Sequence, residues 1–458
     1  VAAGATSSDG GEMMGREVTG RTLPRHPALY AIPVALAAVA LYLQYAYIPF
    51  RAHVFGLFQN QADLRVYRAG AQHLLHGQPI YDRPVLGHFD YTYTPFSTVV
   101  MQPLAWVSKD VAVAAWSALI VVALFYVVVA SFRALGYRLD ARLVVVATSL
   151  VAIALLLEPV RTTIWYGQIN VFLMAIVMWD LLRPSGSRLR GVGVGIAAGI
   201  KLTPAFFVFF LALTRSWRAV AVAAATGVAT VVIGVVLIPK QSWMFWTDKV
   251  FDSQRVGDVR NPANQSLRGA IAHIFQTREP NTAVWLLAIV VVAALGLGAA
   301  MVAHRHGNDV LALSLTGMTT TAVSPFSWGH HWVWFVPLLV VTVDLVLRAW
   351  TRASYVRAVA LTALPVALVL STFVWKFFLP DGAVGLRPFY GIGLFMNPVP
   401  AWFRWFGAQP YLWVLLITAI ATLGAYLVGS RRAVPRGAID DSADEPVDSA
   451  VGGRSARR

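Results

Sequence analysis

The chain is punctuated by apolar runs that approach the length of a membrane span, and those runs leave few folds open to it. Val111 to Phe132, Val220 to Ile238 and Val284 to Val302 are three of them, and about 20 residues suffice to cross the hydrocarbon core as helix. Inside lipid the backbone N–H and C=O groups find no water, so each span must satisfy them internally. Helices do this. The alternating ten-residue strands of a barrel, the other solution, are absent from the sequence. The expected fold is therefore an all-α integral membrane protein, a polytopic bundle of about ten to twelve transmembrane helices. A soluble domain carries about 25% charged residues; this chain carries 13%, against 57% hydrophobic.

The formal charge of +15 is distributed in a way that orients the bundle. Arg16, Arg21 and Arg25 precede the first span, Ala28 to Phe50. Further arginines cluster after alternate runs, at Arg133, Arg138 and Arg142, at Arg183, Arg188 and Arg190, and at Arg348, Arg352 and Arg357. Basic residues favour cytoplasmic loops, which places both termini inside. No basic–aromatic platform suggests nucleic acid. Cysteine is absent, which excludes thiol catalysis, cysteine metal sites and disulfides. The polar ends, residues 1–26 and 431–458, are expected to be disordered cytoplasmic tails flanking a membrane domain at 27–430.

This topology gathers the polar residues Asp63, Glu158, Arg161, Gln168, Asn264, Arg268, His330 and His331 at the outer side. Ala62 to His76 has the spacing of an interfacial amphipathic helix, with Leu64, Ala71, Leu74 and Leu75 on one side and Arg65, Arg68 and Gln72 opposite. Asp63 at its start has two readings, which are compatible. A carboxylate in a partly dry cavity can take a proton from an attacking hydroxyl, and aspartate is also among the best helix N-caps.

His330–His331 lies between two spans beside Trp328, Trp332 and Trp334. Imidazole there can hold a phosphate or orient a base, or belong to an interfacial aromatic belt. Neighbouring side chains diverge and no third ligand is evident, so no metal site is expected. Lys201 stands in an apolar stretch that Pro204 interrupts. A buried ammonium needs a partner, which a phosphate at the tip of two half-helices would supply; the alternative is a lysine snorkelling to the surface. Glu158 and Arg161 could pair, and Gln168 and Asn170 could simply start a helix. Asn264-Gln265-Ser266-Leu267-Arg268 suits sugar and phosphate contacts or an exposed turn. Outer-loop aromatics such as Tyr81, Tyr91, Tyr93, Trp243 and Trp246 suit sugar stacking or interfacial anchoring.

Seven blocks in order carry a resemblance. They are Asp63-Leu64-Arg65-Val66-Tyr67, Tyr93-Thr94-Pro95-Phe96, Glu158-Pro159 through Arg161, Tyr166-Gly167-Gln168-Ile169-Asn170-Val171, Lys201-Leu202-Thr203-Pro204, Asn264-Gln265-Ser266 with Arg268-Gly269-Ala270, and Ser324-Pro325 through His330-His331-Trp332-Val333-Trp334. Together they resemble the integral-membrane glycosyltransferases of the GT-C class that use polyprenyl-phosphate mannose. Within that class they are most similar to the α-(1→2)-mannosyltransferases of phosphatidylinositol mannosides and lipomannan.

The resemblance implies a GT-C-type bundle with extracytoplasmic interfacial helices in the plasma membrane. It implies Asp63 as catalytic base, with His330 or His331 near the donor phosphate. Donor-phosphate contacts would fall to Lys201, Arg161 and Arg268, and substrate contacts to Tyr67, Glu158, Gln168, Asn170, Asn264, Gln265 and Trp328. The implied reaction is an inverting transfer of mannose to a mannosylated lipid. One base suffices for it, without the second carboxylate of a glycosidase, and no cofactor is expected. Thr94 departs from the second proline usual in the Tyr-Pro-Pro-Phe block, which leaves the acceptor open. An Asp-x-Asp nucleotide–metal signature is missing from the outer loops, as a lipid-phosphate donor explains. Two alternatives remain: the same fold with another lipid-linked sugar such as arabinofuranose, or a transporter or lipid flippase. Against the last, polar residues gather at one face and no repeat halves are visible.

Overall fold

The computed structural model describes residues 20–46, 56–381, 385–390, 393–397 and 399–432. Of the expected tails, 1–19 and 433–458 lie outside the described residues, as does 47–50 at the end of the first expected span. Residues 20–26 run against the turn near Gly136, where Arg21 N donates to Gly136 O at 2.7 Å and Arg138 N donates to Arg21 O at 2.9 Å.

The elements in chain order begin with α1 (Ala28–Ala46), α2 (Ala62–Leu75), α3 (Pro95–Val100), α4 (Lys109–Ala134) and α5 (Ala141–Ala154). A hairpin follows, of α6 (Glu158–Tyr166), α7 (Asn170–Leu181), α8 (Val192–Ile200) and α9 (Phe207–Leu213). Then come α10 (Trp217–Leu237), α11 (Pro239–Thr247), α12 (Leu267–Ile274), α13 (Thr282–Arg305), α14 (Asp309–Val323) and α15 (Phe335–Thr351). Short α16 (Tyr355–Leu361) and α17 (Ala363–Ser371) lead to an antiparallel ribbon of β1 (Lys376–Asp381) and β2 (Gly385–Tyr390), with Lys376 opposite Tyr390. The chain closes with α18 (Arg404–Gly407) and α19 (Pro410–Arg432).

Local chemistry sets the starts. Ser108, Asp140, Asn281 and Asn308 cap α4, α5, α13 and α14 by accepting first-turn N–H groups, and proline fills the first turns of α3, α6 and α11, where a missing N–H costs nothing. The segment Phe96 to Val107, which reads as a half-span, is instead the short α3 followed by a 3₁₀ turn at Gln102–Ala105.

Among the described residues four helices are long and apolar enough to cross a membrane, α1, α4, α10 and α13. Two bent pairs, α6 with α7 at 116° and Ala401–Gly407 with Pro410–Tyr426 at 69°, raise the number to six. That is fewer than the ten to twelve expected from apolar runs. The runs at α5 and α14 form helices of 14 and 15 residues, roughly 21–23 Å long at 1.5 Å per residue, short of the ~30 Å core. Composition shows that a run avoids water; it does not separate lipid from protein interior. In α14 every residue from Val310 to Ala322 is buried. Its Ser314, Thr316, Thr319, Thr320 and Thr321 hydroxyls donate to carbonyls four residues back at 2.7–2.8 Å, so the all-round burial strands none of them.

Around α14 pack α13, α15 and α19, while α4 lies against α7 and α15, and α8 against α10. Lipid tails are as apolar as leucine, so such contacts are held by close packing more than by water exclusion. At Gly199 the helices α8 and α10 come so near that a β-carbon would meet Thr230 Oγ1 at 2.3 Å. The α7–α8 hairpin is clamped at its turn by fully buried Asp180, which accepts from Gly191 N at 2.8 and 3.0 Å and from Val194 N at 2.9 Å. Its open end presents Asn170 and Lys201.

Candidate active site

Asp63 reaches the centre of the molecule because the start of α2 is bound to the end of α6. Gln61 N donates to Trp165 O at 2.8 Å, and its side-chain Nε2 donates to Ile164 O at 2.8 Å. Gln61, in the left-handed region at φ 52°, is the residue that precedes the helix, and its side chain makes no cap bond. Asp63 therefore stands inside the first turn and is not the N-cap. The capping reading fails on position, and the carboxylate turns instead to Gln168, which donates to it.

The orientation of Gln168 follows from its other neighbours. Its Oε1 faces Ile169 N at 3.2 Å and Asn170 Nδ2 at 3.3 Å, which can only donate. It also accepts from Tyr67 at 3.0 Å and Tyr93 at 3.2 Å. The amide nitrogen is thereby left for Asp63. Tyr67 and Tyr93 hydroxyls lie 2.8 Å apart. Burial pushes the half-buried Asp63 carboxyl up to about 6, against the pull of the Gln168 hydrogen bond and the Lys201 charge.

Lys201 follows the last residue of α8 in extended conformation. Its Nζ donates to Asn170 Oδ1 at 3.0 Å and lies 3.2 Å from His331 Nε2. An ammonium has no lone pair, so His331 accepts and is neutral at that nitrogen. Burial, with the Lys201 charge beside it, pushes this imidazole well below its usual range. Lys201 also sits 5.3 Å from the centroid of the Tyr93 ring. Beneath Asn170 and His331 runs a narrow cavity of about 40 Å³, reaching Thr203, Thr320, Thr321 and Ser324, room for a few waters.

The two histidines do diverge. His331 joins the Lys201 group, while His330 sets its ring 5.4 Å from Tyr166 and its buried Nε2 has no hydrogen-bond partner among the described residues. Its peptide oxygen accepts from Asn170 Nδ2 at 3.0 Å, tying the turn to α7. Beneath that turn lies Glu158, buried and bonded to the Tyr411 hydroxyl at 2.6 Å and to Thr162 at 3.0 Å. Gly329 rests directly on this carboxylate, and a β-carbon there would come within 2.2 Å of Glu158 Oε2. Arg161, one helical turn on from Glu158, is also buried.

Six of the residues singled out from the sequence thus come together: Asp63, Tyr67, Gln168, Asn170, Lys201 and His331. Asn264, Gln265, Arg268 and Trp328 form a neighbouring scaffold. Asn264 Oδ1 accepts from Ser327 N at 3.1 Å, Gln265 Nε2 donates to the carbonyls of Pro262 and Ala408 at 3.0 Å, Arg268 lies over Trp285 at 5.2 Å, and Trp328 packs tilted against Phe326 with ring centroids 4.7 Å apart. Tyr93, expected only as an outer-loop aromatic suited to sugar stacking, joins the group through its hydroxyl, and Tyr411 was absent from the expected set. Tyr93 stands in a block that carried the resemblance; Tyr411 opens the last helix and gives no sequence signal of its link to Glu158.

The helical bundle thus gathers a half-buried carboxylate and an ammonium at one point. The sequence model of Glycosyltransferase family 87 matches residues 91–325. The chain belongs to that family, and it is a glycosyltransferase. It is 33% identical over 339 residues to a polyprenol-phosphate-mannose-dependent alpha-(1-2)-phosphatidylinositol mannoside mannosyltransferase of Mycolicibacterium smegmatis, covering 68% of this chain and 76% of that protein. It is 30% identical over 412 residues to a protein of the same description from Mycobacterium tuberculosis, covering 86% of this chain and 91% of the other. A Mycobacterium tuberculosis phosphatidylinositol pentamannoside mannosyltransferase is 34% identical over 292 residues, 62% of this chain and 67% of its own length.

Proposed function

We propose that the chain transfers mannose from polyprenyl-phosphate mannose to a hydroxyl of a phosphatidylinositol-mannoside-type lipid, with inversion and an α-(1→2) linkage. The reaction takes place on the extracytoplasmic side of the plasma membrane, with both termini cytoplasmic. Taken with the non-helical residues that flank them, α5, α14, α15 and the α16–α17 pair complete a bundle of about ten to twelve crossings. The observation that carries the reading is the Asp63–Gln168–Asn170–Lys201 group, a base and a cation joined through two amides.

In this mechanism Asp63 takes the proton of the acceptor hydroxyl as its oxygen attacks the anomeric carbon. The bond from that carbon to the phosphate oxygen breaks, and the phosphate leaves with the electron pair. Lys201 meets the charge that develops there. A fixed cation in a dry site stabilises such charge without reorganising at the moment of reaction. His331, neutral, fixes the ammonium. Gln168 and the two tyrosines keep the carboxylate aimed.

The test is an assay on membranes with radiolabelled polyprenyl-phosphate mannose and a phosphatidylinositol-mannoside acceptor, wild type beside Asp63→Asn. Label is expected in the acceptor with wild type alone. Equal label in both would remove Asp63 as base. Label obtained only from an arabinofuranosyl donor would replace the sugar, and lipid movement without transfer would replace the enzyme.

A further inference from the structure

Away from the Asp63 group, the loop at residues 258–261 and the last turn of α12 enclose a wide-mouthed cavity of about 350 Å³ lined by Asp258, Arg260, Asn261, Ala272, His273 and Gln276. The volume lies in the roughly 300–1,000 Å³ range of ligand clefts, but the lining is unlike the apolar walls usual there. Five of the six residues are polar, among them one carboxylate and one guanidinium.

These groups are held in place. Gln409 Nε2 donates to His273 Nδ1 at 2.8 Å, so the ring proton sits on Nε2, which donates to Arg260 O at 3.0 Å. Asp258 Oδ1 accepts from Arg260 N at 2.9 Å, and its other oxygen lies 3.4 Å from Arg278 Nε. Asn261 Oδ1 accepts from Ala263 N at 2.9 Å, which turns its NH₂ group outward from that turn. A carboxylate has about four acceptor sites and an amide nitrogen two donors, so capacity of both kinds remains on a fixed frame.

The mixture selects the ligand class. With Asp258 already paired to Arg278, a phosphate or carboxylate would find Arg260 as its one remaining cation and Asp258 as a repelling neighbour. A neutral polyol offers hydroxyls that each donate and accept, which can use the carboxylate, the amide and the guanidinium together. The loop that lines the cavity also packs toward the Trp328 turn and Tyr91. Gly257 packs against Trp328, where a β-carbon would lie 3.1 Å from the indole, Asn264 binds Ser327 N, and Arg255 donates to Tyr91 O at 3.4 Å.

We propose that this cavity is a glycan subsite, taking a neutral hexopyranose unit of the acceptor other than the one that receives the transferred sugar. The assignment rests on the reading that the acceptor is a mannosylated lipid. Two measurements on the full chain in nanodiscs test it. In steady-state transfer, Asp258→Ala and Asn261→Ala should each raise the KM for the phosphatidylinositol-mannoside acceptor about tenfold, with kcat and the donor KM unchanged. Unchanged acceptor KM in both variants overturns the subsite. So does a matching change in donor KM or kcat, which would mean that the loop acts only by holding the Trp328 turn. The second measurement needs no turnover. A soluble α-linked mannotriose, titrated calorimetrically, should bind wild type and lose that binding in Asp258→Ala. Equal heats in both, or none in either, overturn the subsite, whereas failure of wild type to transfer mannose strikes the reaction and leaves the calorimetry to decide the cavity.

Discussion

The two ends of the α7–α8 hairpin each hold a carboxylate, and they differ in what surrounds it. Asp180 at the turn is met by three backbone N–H contacts from Gly191 and Val194. Asp63, at the open end some 15 Å away by the rise from Asn170 to Asp180 along α7, is met by one side-chain amide and the field of Lys201. Asp344 and Glu158 fall with Asp180. The former is bound by Tyr137 at 3.0 Å and Arg348 at 2.7 Å, the latter by Tyr411 and Thr162. Burial of a carboxylate therefore does not mark a base. What sets Asp63 apart is the cation in whose field it sits, Lys201, itself tied to Asn170 and His331.

The sharpest way to break this contrast is Asp63→Asn. Loss of a general base costs about 10²–10⁴-fold, so transfer should fall by that much while the melting temperature in detergent holds. A lowered melting temperature with activity retained would put Asp63 among the clamps. The next effect is that of pH. Because burial raises Asp63 to about 6 and the base must be ionised, the rate should plateau above pH 6 and fall as pH drops through it, about tenfold per unit. A flat profile down to pH 4.5 would point to another base. Lys201→Met should lower donor kcat/KM by roughly 10–100-fold, a few kcal/mol of lost charge stabilisation, with the acceptor KM untouched. Asp180→Asn should act on stability instead. Hydrogen bonds to a charged group are worth about 1.5–3 kcal/mol, so melting should move down while kcat per folded molecule stays near wild type. Tyr411→Phe should be smallest, on the order of 1 kcal/mol, seen as a slight drop in melting temperature.

Much of this arrangement is visible in the residues themselves. Lys201 beside Pro204 announces a break in an apolar run, and the break is where α8 stops. The amphipathic pattern of α2 places Leu64 and Ala71 inward, although Leu75, grouped with them by spacing, is exposed at the frayed end. Pattern fails where two groups meet across hundreds of positions. The Glu158–Tyr411 bond joins residues 253 apart, and no local signal couples them. Amides fail for another reason. Asn264 and Gln265 carry the same donors and acceptors whether they meet a sugar or a carbonyl, and here the bonds formed go to backbone. The histidine pair shows both limits at once: divergence follows from adjacency, but only the fold tells which ring meets Lys201.

The pairing of Lys201 with Asp63 has a temporal side. Before an anion arrives, the lysine charge holds down the proton affinity of the carboxylate. A phosphate group that settles on the ammonium cancels that field and adds its own, and the affinity of Asp63 for a proton rises. In the proposed mechanism the carboxylate is then most basic when a leaving group is present to make its strength useful. With no anion on Lys201 the same carboxylate holds its proton less tightly, so the order in which charges enter sets its strength.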